Sequence, residues 1–321
     1  MSEHKRFWRD AFALHESATP RILRRTIKFG AFATLVCLLK TFYADEVGLS
    51  VGPFEFAGAA LGLLLVLRTN AGYERWWEAR KLWGGIVNQT RNLAIGVLAY
   101  GPDDRRWREG VIRWTSAFPY SAIRSLRDDR KMPEAAALLG EVEANQISAS
   151  EHMPGFVALR IASQLRHARD HMGMDRFAFL QIDGERIKLI DHIGACERIL
   201  SAPLPRAYTI HIRRFIVLYL TTLPFAMIDR VGLWTPLFTI LVAYPILSLD
   251  QIGMELQNPF SSANIGHLPL DELCAKIERN LLALLQEEPG SLEEISGDFP
   301  AEGEYDDLAE RQGVSAGRPP R

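Results

Sequence analysis

Residues Val231–Leu249, VGLWTPLFTILVAYPILSL, form a run of nineteen residues without a charged side chain. A helix of about 20 apolar residues crosses the ~30 Å hydrocarbon core of a bilayer. The run also contains Pro236 and Pro245, which are costly inside a soluble helix but better tolerated in a packed membrane bundle. It therefore predicts a transmembrane helix.

Three further apolar runs lie at Leu49–Leu67, Phe29–Tyr43 and Phe215–Ile228. Their charged residues, Glu55 and Lys40, lie near the ends of the runs, where a side chain reaches the membrane interface. Short connections, Ala44 to Glu46 and Asp229-Arg230, pair the four runs into two hairpins. The alternative is a set of buried core helices in a large soluble protein. The pattern favours an all-α membrane protein with four transmembrane helices and a helical cytosolic region.

Basic residues flank the hairpins on one side, before Phe29, after Leu67 and before Phe215. By the positive-inside rule, both termini and the long central region face the cytoplasm. We expect the protein to lie in a cell (inner) membrane. The N-terminus lacks the pattern of a cleaved signal peptide. The predicted organisation is a cytosolic segment 1–28, hairpin 29–67, cytosolic helical region 68–214, hairpin 215–249, cytosolic C-terminal helix 250–286 and acidic disordered tail 287–321.

Composition and motifs exclude several classes of function. A net charge of −2, from 37 basic and 39 acidic residues, argues against a nucleic-acid-binding protein. Cys37, Cys196 and Cys274 lie far apart and indicate buried thiols rather than a disulfide framework or a zinc site. Phosphate-binding glycine loops and the common hydrolase and metalloprotease motifs are absent, so we predict no enzyme, no cofactor and no metal site.

The second apolar run carries a stripe at i, i+4 and i+8, formed by Ala59, Leu63 and Leu67. Around a central axis between subunits, such apolar rings make a constriction that gates ions by dewetting. The alternative is that the same stripe contacts lipid or another helix. Periodicity alone favours this alternative over a pore.

Longer motifs resemble the bestrophins and their bacterial relatives over most of the chain. They are LGLLLVLRTNAGYERWWEARKLWGG, LPFAMIDRVGLWTPLFTILVAYPILSLDQIGMELQNPF and LPLDELCAKIERNL. Within them the family motif residues are Arg68, Arg75, Trp76, Trp77, Asn258, Pro259 and Phe260. The resemblance implies a homopentameric ion channel in the lipid bilayer, with its pore lined by the second membrane helix.

The resemblance also implies where the pore narrows. Counting back from Arg75-Trp76-Trp77 places the family's apolar neck on Ala59, Leu63 and Leu67, with Ala59 smaller than the usual residue. A second constriction, the cytosolic aperture, precedes the helix that holds Cys196 and falls on Leu180, with Ile182 as the alternative.

The remaining predictions concern calcium binding, the permeating ion and the rival function. Animal members carry a calcium clasp, an acidic run after Asn-Pro-Phe, and here Ser261 to Gly266 lack those carboxylates. Similarity to bacterial members favours small monovalent cations as the permeating partner, with chloride as the alternative. The rival function is a membrane-anchored interaction protein that docks a cytosolic partner.

Overall fold

The structure is a computed structural model that describes residues 7–9, 13, 17–43 and 49–286. The predicted acidic tail, the Ala44 to Glu46 connection and most of residues 1–16 lie outside the described residues. In the part that is described, every regular element is a helix, which confirms the all-α prediction.

Ten helices follow one another within the described residues 19–43 and 49–286. They are α1 Thr19–Tyr43, α2 Gly52–Tyr100, α3 Arg105–Leu126, α4 Pro133–Leu139, α5 Glu141–Ala149, α6 Met153–His171, α7 Arg176–Ser201, α8 Arg206–Val231, α9 Thr235–Glu255 and α10 Leu270–Gln286. A short 3₁₀ turn, Gly232–Trp234, joins α8 to α9.

Two helices begin earlier than the apolar pattern predicts. Helix α1 starts at Thr19 rather than near Phe29, and α8 starts at Arg206 rather than near Phe215. Hydropathy detects only the part of a helix that suits the membrane, whereas ion pairs to other helices stabilise the polar first turns. Arg21 of α1, for example, lies 2.6 Å from a carboxylate oxygen of Glu255.

Helices α1, α8 and α9 pack with the first half of α2 around one apolar cluster. Its buried members are Ile22, Leu61, Leu65, Ile212, Ile216, Leu220, Leu223, Ala243 and Leu247. Two stretches, Gly52–Tyr100 and Arg206–Glu255, are long and apolar enough to cross a membrane. Less than a quarter of either apolar window is buried in the protomer. A core helix of a soluble protein buries most of such a window, so this exposure favours lipid.

The second half of α2 packs with α3, α6, α7 and α10 around a separate core. Trp83 and Phe118 are among its fully buried side chains. The three cysteines are free and buried, and burial raises the pKa of Cys196 to about 12. Helix α10 buries Cys274, Ile277 and Leu281, so it contacts the rest of the protein along one apolar stripe.

Candidate functional site: the exposed face of helix α2

Helix α2 runs without interruption from Gly52 to Tyr100. At 1.5 Å per residue it is ~74 Å long, more than twice the ~30 Å hydrocarbon thickness of a bilayer. Its first half belongs to the apolar cluster of α1, α8 and α9, and its second half to the other core. One rigid element therefore connects the two parts of the protomer.

The three predicted neck residues share one exposed face of α2. Leu63 and Leu67 are 61% and 52% exposed, and Ala59 is exposed as well. Their neighbours Leu61 and Leu65 are buried in the apolar cluster on another side of the helix. The protomer thus brings the stripe together and leaves it open to lipid, to a second copy or to an axis between copies.

Arg68 directly follows the neck but is fully buried between helices. Its Nη1 donates to Oδ1 of Asp250 on α9, and Nε of Arg213 on α8 donates to Oδ2 of the same carboxylate at 3.3 Å. Among the described residues, Nε and Nη2 of Arg68 have no partner. Sequence reasoning missed Asp250 and Arg213. One feature of the sequence could have identified Asp250: this acidic residue comes immediately after the apolar run Val231–Leu249.

The Arg75-Trp76-Trp77 motif is largely structural. The Arg75 guanidinium donates to backbone carbonyls at the ends of two other helices, those of Ile199, Ala202 and Gln257. Nε1 of Trp76 donates to the carbonyl of Gly266 at 2.8 Å, whereas Trp77 is 47% exposed. Two of the three motif residues therefore fasten α2 to α7 and to the chain after α9.

The Asn-Pro-Phe motif shapes the turn after α9. Oδ1 of Asn258 accepts a hydrogen bond from the Phe260 amide at 3.2 Å, and the Pro259 carbonyl accepts one from the Leu268 amide at 2.9 Å. The Phe260 ring is fully buried in the core. Its carbonyl accepts a hydrogen bond at 3.0 Å from Nε of Arg127, which directly follows α3, so the motif anchors the loop to the end of that helix.

The same arginine forms a forked ion pair. Nη1 and Nη2 of Arg127 each donate to one carboxylate oxygen of Asp271 at 2.9 Å. This hydrogen-bonded guanidinium lowers the pKa of Asp271 below its ordinary value. The pair therefore connects α3, α10 and the Asn-Pro-Phe turn.

The loop after Asn-Pro-Phe closes on the buried carboxylate of Glu255. This carboxylate accepts hydrogen bonds from Nη1 of Arg21 at 2.6 Å, Nε2 of Gln251 at 2.7 Å and the Ile265 amide at 3.1 Å. Arg21 also donates to the Ala263 carbonyl at 2.5 Å. A guanidinium thus neutralises the carboxylate. Within the ranges the structure describes, no group of three or more His, Cys, Asp or Glu side chains is placed to hold a metal ion.

The predicted cytosolic aperture falls on the first turns of α7, within that helix rather than before it. Leu180 is 64% exposed, whereas Ile182 is 1% exposed and packs against Gly96 of α2. Of the two predicted aperture residues, only Leu180 is placed where it could line an opening, because Ile182 lies in the protein core. Sequence reasoning missed Phe177, which is 82% exposed. The sequence feature that could have located Phe177 is Asp175, because an aspartate often caps the start of a helix. Its carboxylate accepts a hydrogen bond from the Phe177 amide at 2.8 Å.

The fold and this site define an all-helical membrane protein built on one long helix with an exposed apolar face. The family model described as "Bacterial/Fungal Bestrophin protein" matches residues 1–283. The chain belongs to this bestrophin family, as the sequence motifs predict.

Individual relatives agree with this assignment. The chain is 34% identical over 289 residues to a voltage-dependent anion channel-forming protein of Nostoc sp., covering 88% of this chain and 92% of that protein. It is 30% identical over 280 residues to the voltage-dependent anion channel-forming protein YneE of Escherichia coli, covering 87% and 91%. A crystal structure of a bacterial bestrophin homologue from Klebsiella pneumoniae superimposes with a TM-score of 0.77, at 28% identity, covering 84% and 100%.

Proposed function

We propose that this chain assembles into a homopentameric channel that conducts small monovalent ions passively through the inner membrane. The observation that carries the proposal is the exposed stripe of Ala59, Leu63 and Leu67 on an unbroken helix that continues into the second core. Relatives named as voltage-dependent anion channel-forming proteins support ion conduction. Leu63 and Leu67 stay exposed in the described part of the protomer, which supports an assembly that places them around an axis.

In the proposed assembly, four helices of each subunit cross the membrane, α1, α2, α8 and α9. Both termini lie in the cytoplasm, because the basic residues lie at the ends of these helices that meet the second core. Lys40 of α1 and Asp229 of α8 form an ion pair at the opposite end. This pair ties the two hairpins together at the outer surface.

The neck acts as a hydrophobic gate. Rings of Leu63 and Leu67 offer no hydrogen bonds to water or ions, so a narrow passage between them dewets and closes. Ala59 widens the outermost ring because its side chain is a single methyl group. At the far end of the cytosolic passage, Leu180 and Phe177 form the aperture.

The passage between these constrictions is long. Gly96 of α2, which contacts α7 near Leu180, lies twenty-nine residues beyond Leu67, or ~44 Å along the helix. Side chains on the exposed face of α2 line this vestibule and meet every permeating ion.

Purified full-length protein in planar bilayers under asymmetric NaCl tests the proposal, with the subunit count measured by native mass spectrometry. We expect passive currents from a pentamer and a reversal potential that reports the preferred sign of ion. Silent, intact pentamers that capture a stoichiometric cytosolic partner would instead support the membrane-anchored interaction protein.

Leu67→Ala tests the neck in the same preparation. We expect a higher open probability or conductance, because a shorter side chain widens the apolar ring and lowers the cost of wetting it. Leu218→Ala is the matched control, because Leu218 lies on α8 and is 61% exposed, comparably to Leu67. Currents equal to wild type in Leu67→Ala would remove this residue from the gate.

A further inference from the structure

The exposed face of α2 that carries the neck continues beyond Leu67. On the same unbroken helix it includes the exposed polar side chains of Asn70, Glu74, Lys81, Asn88 and Asn92. The exposed ring of Trp77, eighteen residues beyond Ala59, shares this face. Glu74 and Lys81 are the charged members of this series. They follow Leu67 at intervals of seven and fourteen residues.

The helical repeat places these two charges beneath the neck. Seven residues fall ~20° short of two full turns, so Glu74 lies ~20° and Lys81 ~40° around the helix from Leu67. Glu74 is ~10 Å and Lys81 ~21 Å farther along the helix axis. Lys81 is also aligned with Leu63, because eighteen residues make five complete turns. An axis faced by both leucines is therefore faced by both charges.

Neither charge is neutralised within the described part of the protomer. Glu74 and Lys81 form no hydrogen bond or ion pair there with another described residue. By contrast, Glu78 on the same helix pairs with Arg198 of α7 at 3.0 Å, at the edge of the exposed face. The field of Glu74 thus extends into the space in front of α2 without an opposing side chain in contact.

We propose that Glu74 biases permeation toward cations and that Lys81 opposes this bias from farther inside the vestibule. The inference rests on the proposed channel function and assigns the charges that tune its selectivity. One carboxylate per subunit makes an acidic ring just below the hydrophobic neck, and such rings concentrate cations and repel anions. Glu74 dominates at the neck because it is ~10 Å closer to it than Lys81.

Screening sets how large the effect is. The Debye length is ~8 Å at 0.15 M salt and ~3 Å at 1 M, so the ring acts on the neck at low salt and is largely screened at high salt. For Glu74→Gln we expect a decrease of about fivefold in the Na⁺ to Cl⁻ permeability ratio near 0.15 M, shrinking towards unity near 1 M.

The test measures reversal potentials of the full-length channel in planar bilayers under NaCl gradients at both salt levels. Glu74→Gln shifts the potential toward the chloride limit, Lys81→Gln shifts it toward the sodium limit, and Glu74→Asp keeps the wild-type value. Glu272→Gln is the matched control, because exposed Glu272 lies on α10. That helix packs through Ile277 and Leu281 against Ala94, half a turn around α2 from Leu67.

Charge restoration separates electrostatics from structural damage. The native cysteines are buried, so Glu74→Cys offers a single exposed thiol for methanethiosulfonate reagents. A sulfonate reagent should return the sodium preference and a trimethylammonium reagent should abolish it. Conducting channels whose reversal potential is the same in wild type, Glu74→Gln and both modified forms would overturn the inference while leaving the channel function intact. A wild-type pentamer that carries no current would overturn the channel function itself.

Discussion

Replacing Asp250 by asparagine removes the only carboxylate that contacts the buried Arg68 in the described structure. Arg68 is 0% exposed and Asp250 is 3% exposed, so water cannot take the place of the lost charge. Arg213, the second arginine on this carboxylate, would lose the same partner. Two guanidinium groups would then remain close together with no opposing charge.

The size of the effect follows from this burial. Removing one partner from a buried ion pair costs about 3–5 kcal/mol, because the remaining charge stays desolvated. For Asp250→Asn we therefore expect the apparent unfolding temperature to fall by about 10 °C. Replacing both buried charges with apolar residues, Arg68→Met with Asp250→Leu, should recover most of the loss. The buried guanidinium is then gone, and the remaining Arg213 side chain is 44% exposed, so water can solvate it.

Thermal unfolding of the detergent-solubilised protein, followed by tryptophan fluorescence, measures the change. Glu78→Gln is the control, because it breaks an ion pair whose partners are 44% and 69% exposed. Such exposed pairs contribute less than about 1 kcal/mol. If Asp250→Asn unfolds within about 2 °C of wild type while the protein remains assembled, the reasoning about the buried pair is refuted.

Two further predictions concern the proposed aperture and the ion pair between Arg127 and Asp271. Phe177→Ala and Leu180→Ala should each raise single-channel conductance without altering open probability, and a change in neither would move the aperture elsewhere. Asp271→Asn should lower the unfolding temperature at pH 7, because it removes the ion pair with Arg127. Since the pair lowers the folded-state pKa of Asp271, its stabilisation is present above the unfolded pKa of about 4 and is lost as the pH falls through the folded pKa. The difference between wild type and Asp271→Asn should therefore shrink on acidification, and a difference independent of pH would argue against this pair.

Sequence patterns predicted helices correctly where the apolar residues of one continuous run determine the helix. The run Val231–Leu249 lies almost entirely in the 3₁₀ turn and α9. The first turns of α1 and α8 were not predicted, because their polar residues are held by partners on other helices. Arg21, for example, is paired with Glu255, which lies 234 positions away.

The two residues predicted for the aperture also differ in what the sequence and the tertiary structure decide. Leu180 and Ile182 are both apolar and lie two positions apart, so hydropathy cannot rank them. Packing distinguishes them, because Ile182 turns into the core against Gly96 while Leu180 stays exposed. Phe177 was overlooked because its exposure depends on where α7 begins, and the Asp175 cap decides that.

The amino-acid sequence by itself determined the helical class, the membrane-length apolar runs, the family motifs and the i, i+4 stripe of the proposed neck. These are properties of neighbouring residues, and the 3.6-residue repeat converts them directly into faces. Only the tertiary structure decided that Arg68 is buried against Asp250, that Glu255 is partnered by Arg21, and that Glu74 continues the face of Leu67 on an unbroken helix. Those facts depend on which distant helices meet, because burial and pairing arise from packing and not from local composition.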